Sequence, residues 1–230
     1  MKSEKITTDW KSRQKRWYDD ACGTALALEL VGERWSLLIV RELMYGGRRF
    51  GELRASLPGI SANVLTQRLE GLERIGVLHR RKLPPPASVQ VYELTEWGRA
   101  SETAIQELGR WAVRSSLHDP TLPLSAASLM MSFRTMHDGT LVGDLDARIG
   151  FRLGADEFVG RLDRHGFDVR REDPAGADAA FHASPETMAS IVYGGRPIAD
   201  AEAAGALRIH GDRALAERFV RLFVLPDKLA

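Results

Sequence analysis

Asn63, Thr66, Gln67 and Arg68 are hydrogen-bonding side chains at a spacing that, on a helix, gathers them on one side. The carboxamides of Asn63 and Gln67 can each form a bidentate pair with adenine, and the guanidinium of Arg68 can do so with guanine. Ser61 lies just ahead of them, where a hydroxyl and the free N–H groups of a helix start suit a phosphate. Arg48 and Arg49 on one side, and Arg80, Arg81 and Lys82 on the other, would flank this set and grip a charged backbone. Residues 46–82 hold 8 basic and 3 acidic side chains, the electrostatic footprint of a polyanionic partner. The same residues would also serve as the solvated face of any small helical domain, so the order of the elements has to decide.

Other reactive groups are few. Cys22 is the single cysteine, which excludes an intrachain disulfide and makes a reducing, cytoplasmic setting the expectation. Asp19 and Asp20 beside it oppose a thiolate, so a small buried apolar role competes with a redox-sensing one. His118, His137, His165, His182 and His210 have no acidic or thiol neighbour at ligand spacing, and no metal site is expected. The GGRP run at 194–197 lacks the Lys-Ser/Thr of a phosphate loop, and no serine occupies a nucleophile elbow. Neither an enzyme nor a cofactor is therefore expected. No apolar run approaches the ~20 residues needed to span a bilayer, so no membrane partner is expected.

The elements that would position the polar set follow from periodicity. Two helices separated at Gly32 fill Gly23 to Met44, and Gly46-Gly47 ends the second. A short helix spans Phe50 to Leu57, Pro58-Gly59 turns the chain, and Ser61 caps the next helix, whose Leu65, Leu69 and Leu72 face the core. Two strands, Val77 to Lys82 and Val89 to Leu94, flank the proline-rich LPPPAS tip. Thr95 caps a long helix running to about Leu117. This order is that of a winged helix-turn-helix, with the Ser61 helix as the reading helix.

Cys22-Gly with the following AL, then ERWSLLIVREL (33–43), GGRRFGEL (46–53), GISANVLTQRLEGLERIGVL (59–78) and YELTEWG (92–98), closely resemble the HxlR family of regulators. The resemblance covers about residues 20–117. It implies a homodimer of winged helices on a palindromic double-stranded operator, held by the Glu96–Leu117 helix and by the N-terminal segment 1–19 that contains Trp10 and Trp17. It also implies that Cys22 stands where several members keep a cysteine that senses oxidants or electrophiles.

HDPTLP (118–123) reads as a linker, and residues 124–230 as a second, α+β domain. Its half of the chain has 13 basic and 17 acidic residues, against 19 and 14 in residues 1–117. LDARIGFRL alternates as a strand, and segments around 129–136, 158–163, 167–171 and 178–182 also read as strands. Helices begin at Ser184-Pro185 and at Asp212. IGFRLGADEF, SPETMASIVYGG and GALRIHGDRALAERFVRLF resemble sterol carrier protein-type domains, which implies an apolar pocket for a lipid-like molecule. Met130, Phe133, Met136, Phe151, Met188, Ile191, Val192 and Phe219 are the candidate lining, and equally the plain core of such a domain. The expectation is thus an α+β chain, a winged helix-turn-helix followed by a sterol-carrier-like effector domain. A lipid carrier with an accessory nucleic-acid-binding domain is the alternative.

Overall fold

The computed structural model describes residues 18–229. Trp10 and Trp17, and with them nearly all of the N-terminal dimer segment, lie outside the described residues. In the first half, α1 (Gly23–Val31), α2 (Ser36–Leu43), α3 (Phe50–Ser56) and α4 (Ala62–Arg74) precede a hairpin of β1 (Leu78–Lys82) and β2 (Gln90–Leu94). The strands are antiparallel, with Leu78 opposite Leu94 and Lys82 opposite Gln90. Ile39, Val40, Leu43, Leu53, Leu65, Leu69, Leu72 and Leu94 form one core. Each leucine buried there contributes about 1.5–3 kcal/mol of transfer free energy. That is what holds helices of 7 to 13 residues, which would be marginal alone, in place.

The chain then passes through α5 (Glu96–Ala100) and α6 (Glu102–Ala112). The single helix expected from Thr95 to Leu117 is therefore two shorter ones. Ser101 interrupts it, its hydroxyl donating to the Gly98 carbonyl at 2.7 Å. A serine that bonds back to the preceding turn competes with helix continuation.

The second half consists of α7 (Ala126–Thr135), α8 (Gly139–Val142), β3 (Ala147–Leu153), β4 (Asp156–Asp163), β5 (Gly166–Arg170), β6 (Ala179–Ala183), α9 (Pro185–Val192), α10 (Ile198–Ala203), β7 (Leu207–Gly211) and α11 (Arg213–Phe219). Its sheet has the order β5-β4-β3-β6-β7, with only the β3–β6 pair parallel. The segment 129–136, expected as a strand, is helix α7. Eight of its ten residues are buried, so it carries no polar face from which a period could be read. Ser125 caps it, accepting the Ser128 N–H at 3.0 Å. The expected strand segments at 158–163, 167–171 and 178–182 fall on β4, β5 and β6.

The halves are in contact. Helix α2 packs on α7, and Tyr45, just past α2, is buried in the second core, edge-on to Phe158 with ring centroids 5.7 Å apart. Glu42, 1% exposed, accepts from Ser125 Oγ at 2.7 Å and from Arg41 at 2.8 Å on one oxygen. Arg134 of α7 pairs with Glu102 of α6. The tail returns to the end of α6, where the Leu229 N–H donates to the Arg114 carbonyl at 2.8 Å and Lys228 to that of Ser115 at 3.0 Å. No helix among the described residues is long and apolar enough to cross a membrane.

Candidate nucleic-acid interface

Helix α4 separates its two faces cleanly. Leu65, Leu69 and Leu72 are buried, whereas Asn63, Thr66 and Gln67 are exposed. Gly59 turns the chain into the helix with φ at +90°, a backbone conformation that glycine adopts without strain. Ser61 is the N-cap, its hydroxyl accepting the Val64 N–H at 3.2 Å. At the other end Gly76, at φ +77°, ends the helix and delivers the chain to β1.

The basic residues divide by what they touch. Arg49 is exposed at the start of α3, where its backbone N–H donates to Glu52 at 2.8 Å. Lys82, at the end of β1, is exposed with no ion pair among the described residues. Arg80 is paired to Glu73, and that partner holds the Glu73 carboxyl below the usual carboxylate range. Arg81 donates to Glu93 at 2.7 Å. Arg68 is tied to the α1–α2 turn, donating to the Arg34 carbonyl at 3.0 Å and pairing with Glu33 at 2.9 Å. Arg48 departs furthest from expectation. It is buried, and its Nη1 donates to Asp156 of β4 at 3.0 Å. The guanidinium is part of the contact between the halves and is not presented to solvent beside α4. Arg54, counted only in the charge of its segment, is exposed on α3 without an ion pair among the described residues.

Residues 30–119 match the family model for the HxlR-like helix-turn-helix. The chain is 40% identical over 86 residues to the HTH-type transcriptional regulator YodB of Bacillus subtilis strain 168, a match covering 37% of this chain and 77% of YodB. It is 38% identical over 86 residues to the regulator YvaP of the same strain, covering 37% of this chain and 80% of YvaP. The chain belongs to the HxlR-like helix-turn-helix family. A third relative, Mb3122 of Mycobacterium bovis, is 46% identical over 85 residues, which are 37% of this chain and 53% of Mb3122. Among solved structures, the reduced form of YodB aligns at 36% identity over 41% of this chain and 94% of that one, with a TM-score of 0.38.

Within this HxlR-like chain, Cys22 stands at the N-cap of α1 and is exposed among the described residues. Hydrogen bonds from Thr24 and Ala25 at the helix start hold its thiol below the ordinary cysteine range. Asp20 is turned to the Cys22 backbone N–H, its carboxylate accepting at 2.9 Å.

The expected apolar pocket is not an open space in this arrangement. Met130, Phe133, Met136, Phe151, Met188, Ile191 and Phe219 are buried together, with Val192 packed against them. Phe133 stacks on Phe223 at 4.7 Å and meets Phe219 at 5.6 Å, while Phe151 stacks on Phe181 at 5.7 Å. Rings at these spacings fill the interior between sheet and helices. An open cleft of about 370 Å³ lies between the halves and is lined mostly by charged residues, and another of about 400 Å³ lies beside α11, between Leu141 and Leu222.

Proposed function

We propose that this chain is a DNA-binding transcriptional regulator, acting as a homodimer that inserts one α4 helix from each copy into the major groove of a palindromic site. The observation that carries the reading is α4 itself. In an HxlR-like chain, its leucine face is buried while Asn63, Thr66 and Gln67 point outward next to the cap Ser61. Lys82 and Arg54 supply positive charge without an ion pair among the described residues, and Arg49, Arg80 and Arg81, although paired, remain exposed. Groups of the first kind read base edges, and those of the second fix register on phosphates.

Two helices with exposed apolar side chains support the dimer. Among the described residues, neither α1 nor α6 contains a fully buried one. Leu26, Leu28, Leu108 and Trp111 are exposed along them, Trp111 by 71%. Large apolar side chains grouped in this way call for cover, and a two-fold axis lets one patch cover its own copy.

The second half is read as a binding, non-catalytic domain that senses a small molecule. Support comes from its mixed sheet with helices, which suits the sterol-carrier-like resemblance, and from its continuous contact with α2, α6 and the chain before α3. A ligand that prefers one arrangement of that contact would change DNA affinity by its differential binding. A gel shift on DNA from upstream of the coding sequence, competed by unrelated duplex, tests the regulator reading. Retention against a large excess of competitor is expected, and equal displacement by either DNA would refute it.

A further inference from the structure

The contact between the halves contains an arginine whose best hydrogen-bonding edge is empty. Nε and Nη2 form the forked edge of a guanidinium, and in Arg171 both are buried with no hydrogen-bond partner among the described residues. The same edge of Arg41, Arg80 and Arg161 is filled by Glu42, Glu73 and Asp146. Arg48 lies beside it and has Glu52 as an ion partner, 3.7 Å from its Nε. Its side chain is 9% exposed, and that Nε is ion-paired without a hydrogen bond.

These two cations share one carboxylate oxygen, Oδ1 of Asp156, and of the two only Arg48 pairs with Glu52, so the fork of Arg171 has no carboxylate of its own among the described residues. Burial pushes the Arg171 guanidinium below its ordinary pKa, and Arg48 pushes it further, while Asp156 opposes both. A buried charged donor without an acceptor is costly, so this spot lacks an acceptor that the chain itself does not provide.

Arg48 and Arg171 line the cleft of about 370 Å³ between the chain before α3 and the ends of β4 and β5. Its rim has the opposite sign. Glu157 and Asp173 share Arg152, at 3.0 and 3.3 Å, and Glu172 is exposed without an ion pair among the described residues. Positive charge within and negative charge at the mouth select a ligand that carries both.

We infer that this cleft binds a small zwitterion of the free amino-acid class, its carboxylate on the forked edge of Arg171 and its ammonium among the rim carboxylates. Fork and carboxylate match in geometry as well as charge. The Arg171 nitrogens are closed to solvent here, so the carboxylate reaches them only as the halves part. A ligand of this kind therefore favours the parted arrangement over the one held by Arg48 and Asp156. Its effect on DNA affinity rests on the sensing role proposed for the second half; the site itself does not.

Isothermal titration of the full-length protein with each proteinogenic L-amino acid, and with acetate and propylamine as single-charge probes, tests the inference. Saturable binding of at least one amino acid is expected, with neither single-charge probe matching it. Arg171→Lys keeps the charge but loses the fork, and should weaken binding about tenfold or more. Glu172→Gln changes an exposed, unpaired side chain, and should weaken it several-fold without disturbing the fold. Thermal melting identifies a variant that has not folded, and if Arg171→Lys has not, Glu172→Gln decides. Absence of saturable binding, equal binding of acetate or propylamine, or unchanged affinity in the folded variants would overturn the inference. Anisotropy of an upstream duplex, followed with the same amino acid, separates the two readings. Binding that leaves DNA affinity unchanged supports the site and refutes the sensing role.

Discussion

Gln67 and Lys82 stand for the two kinds of DNA contact proposed, and Arg48 for neither. Removing the carboxamide of Gln67 or Asn63 should relax sequence preference, each alanine costing about 1–3 kcal/mol on the specific site and little on random DNA. Lys82→Ala and Arg49→Ala should weaken all DNA alike and lower the salt dependence by about one ion each. Arg48→Ala should leave the salt slope unchanged and lower stability instead, by about 1–3 kcal/mol, because Asp156 loses a buried donor. Anisotropy titrations over a salt series, paired with urea melts, read both quantities. A salt slope reduced in Arg48→Ala would return that residue to the DNA interface. Cys22 allows a separate test, since as the single thiol it can be followed without interference. With its folded pKa lowered, its alkylation by iodoacetamide should rise at lower pH in the native protein than in urea. Coincident pH profiles would show that the start of α1 does not activate the sulfur.

Among the elements, those built from local signals were legible in the sequence. Ser61, the three leucines of α4 and Gly76 specify a capped amphipathic helix within sixteen residues, and the helix lies where that pattern puts it. Helix α7 was not legible, because a segment buried nearly all round shows neither a 3.6 nor a 2.0 period. The role of Arg48 was hidden for a different reason. Its partner Asp156 is 108 residues away, and a pair of arginines in a basic segment has no local mark of which one is buried. The division of the expected long helix at Ser101 bears on assembly, since α6 alone then carries Leu108 and Trp111. Trp111→Glu places a charge on that face without disturbing the chain's own core, as Trp111 is 71% exposed. Sedimentation should show the wild type as a dimer and the variant as a monomer that binds DNA weakly. A wild type that sediments as a monomer at micromolar concentration would remove the two-fold arrangement.

On the scale of the whole molecule, the second half is joined to the first along a continuous path. Tyr45 packs in the second core, Glu42 and Ser125 share a hydrogen bond, Arg134 pairs with Glu102, and the tail is fixed to the end of α6. Residues 118–123 connect the halves in sequence but do not separate them in space. The sheet half thereby touches α2, which packs beside α4, the proposed reading helix, and α6, the proposed dimer helix. What the sequence could not show is this junction, since its cleft takes residues from both halves and no segment contains it. The central claim is that two α4 helices read one palindrome together, and hydroxyl-radical footprinting of the full-length protein on its upstream DNA tests it most directly. The account predicts two protected segments of related, inverted sequence, centred about 10 base pairs apart on one face of the duplex. A single protected segment, or uniform protection without preferred sites, would contradict it.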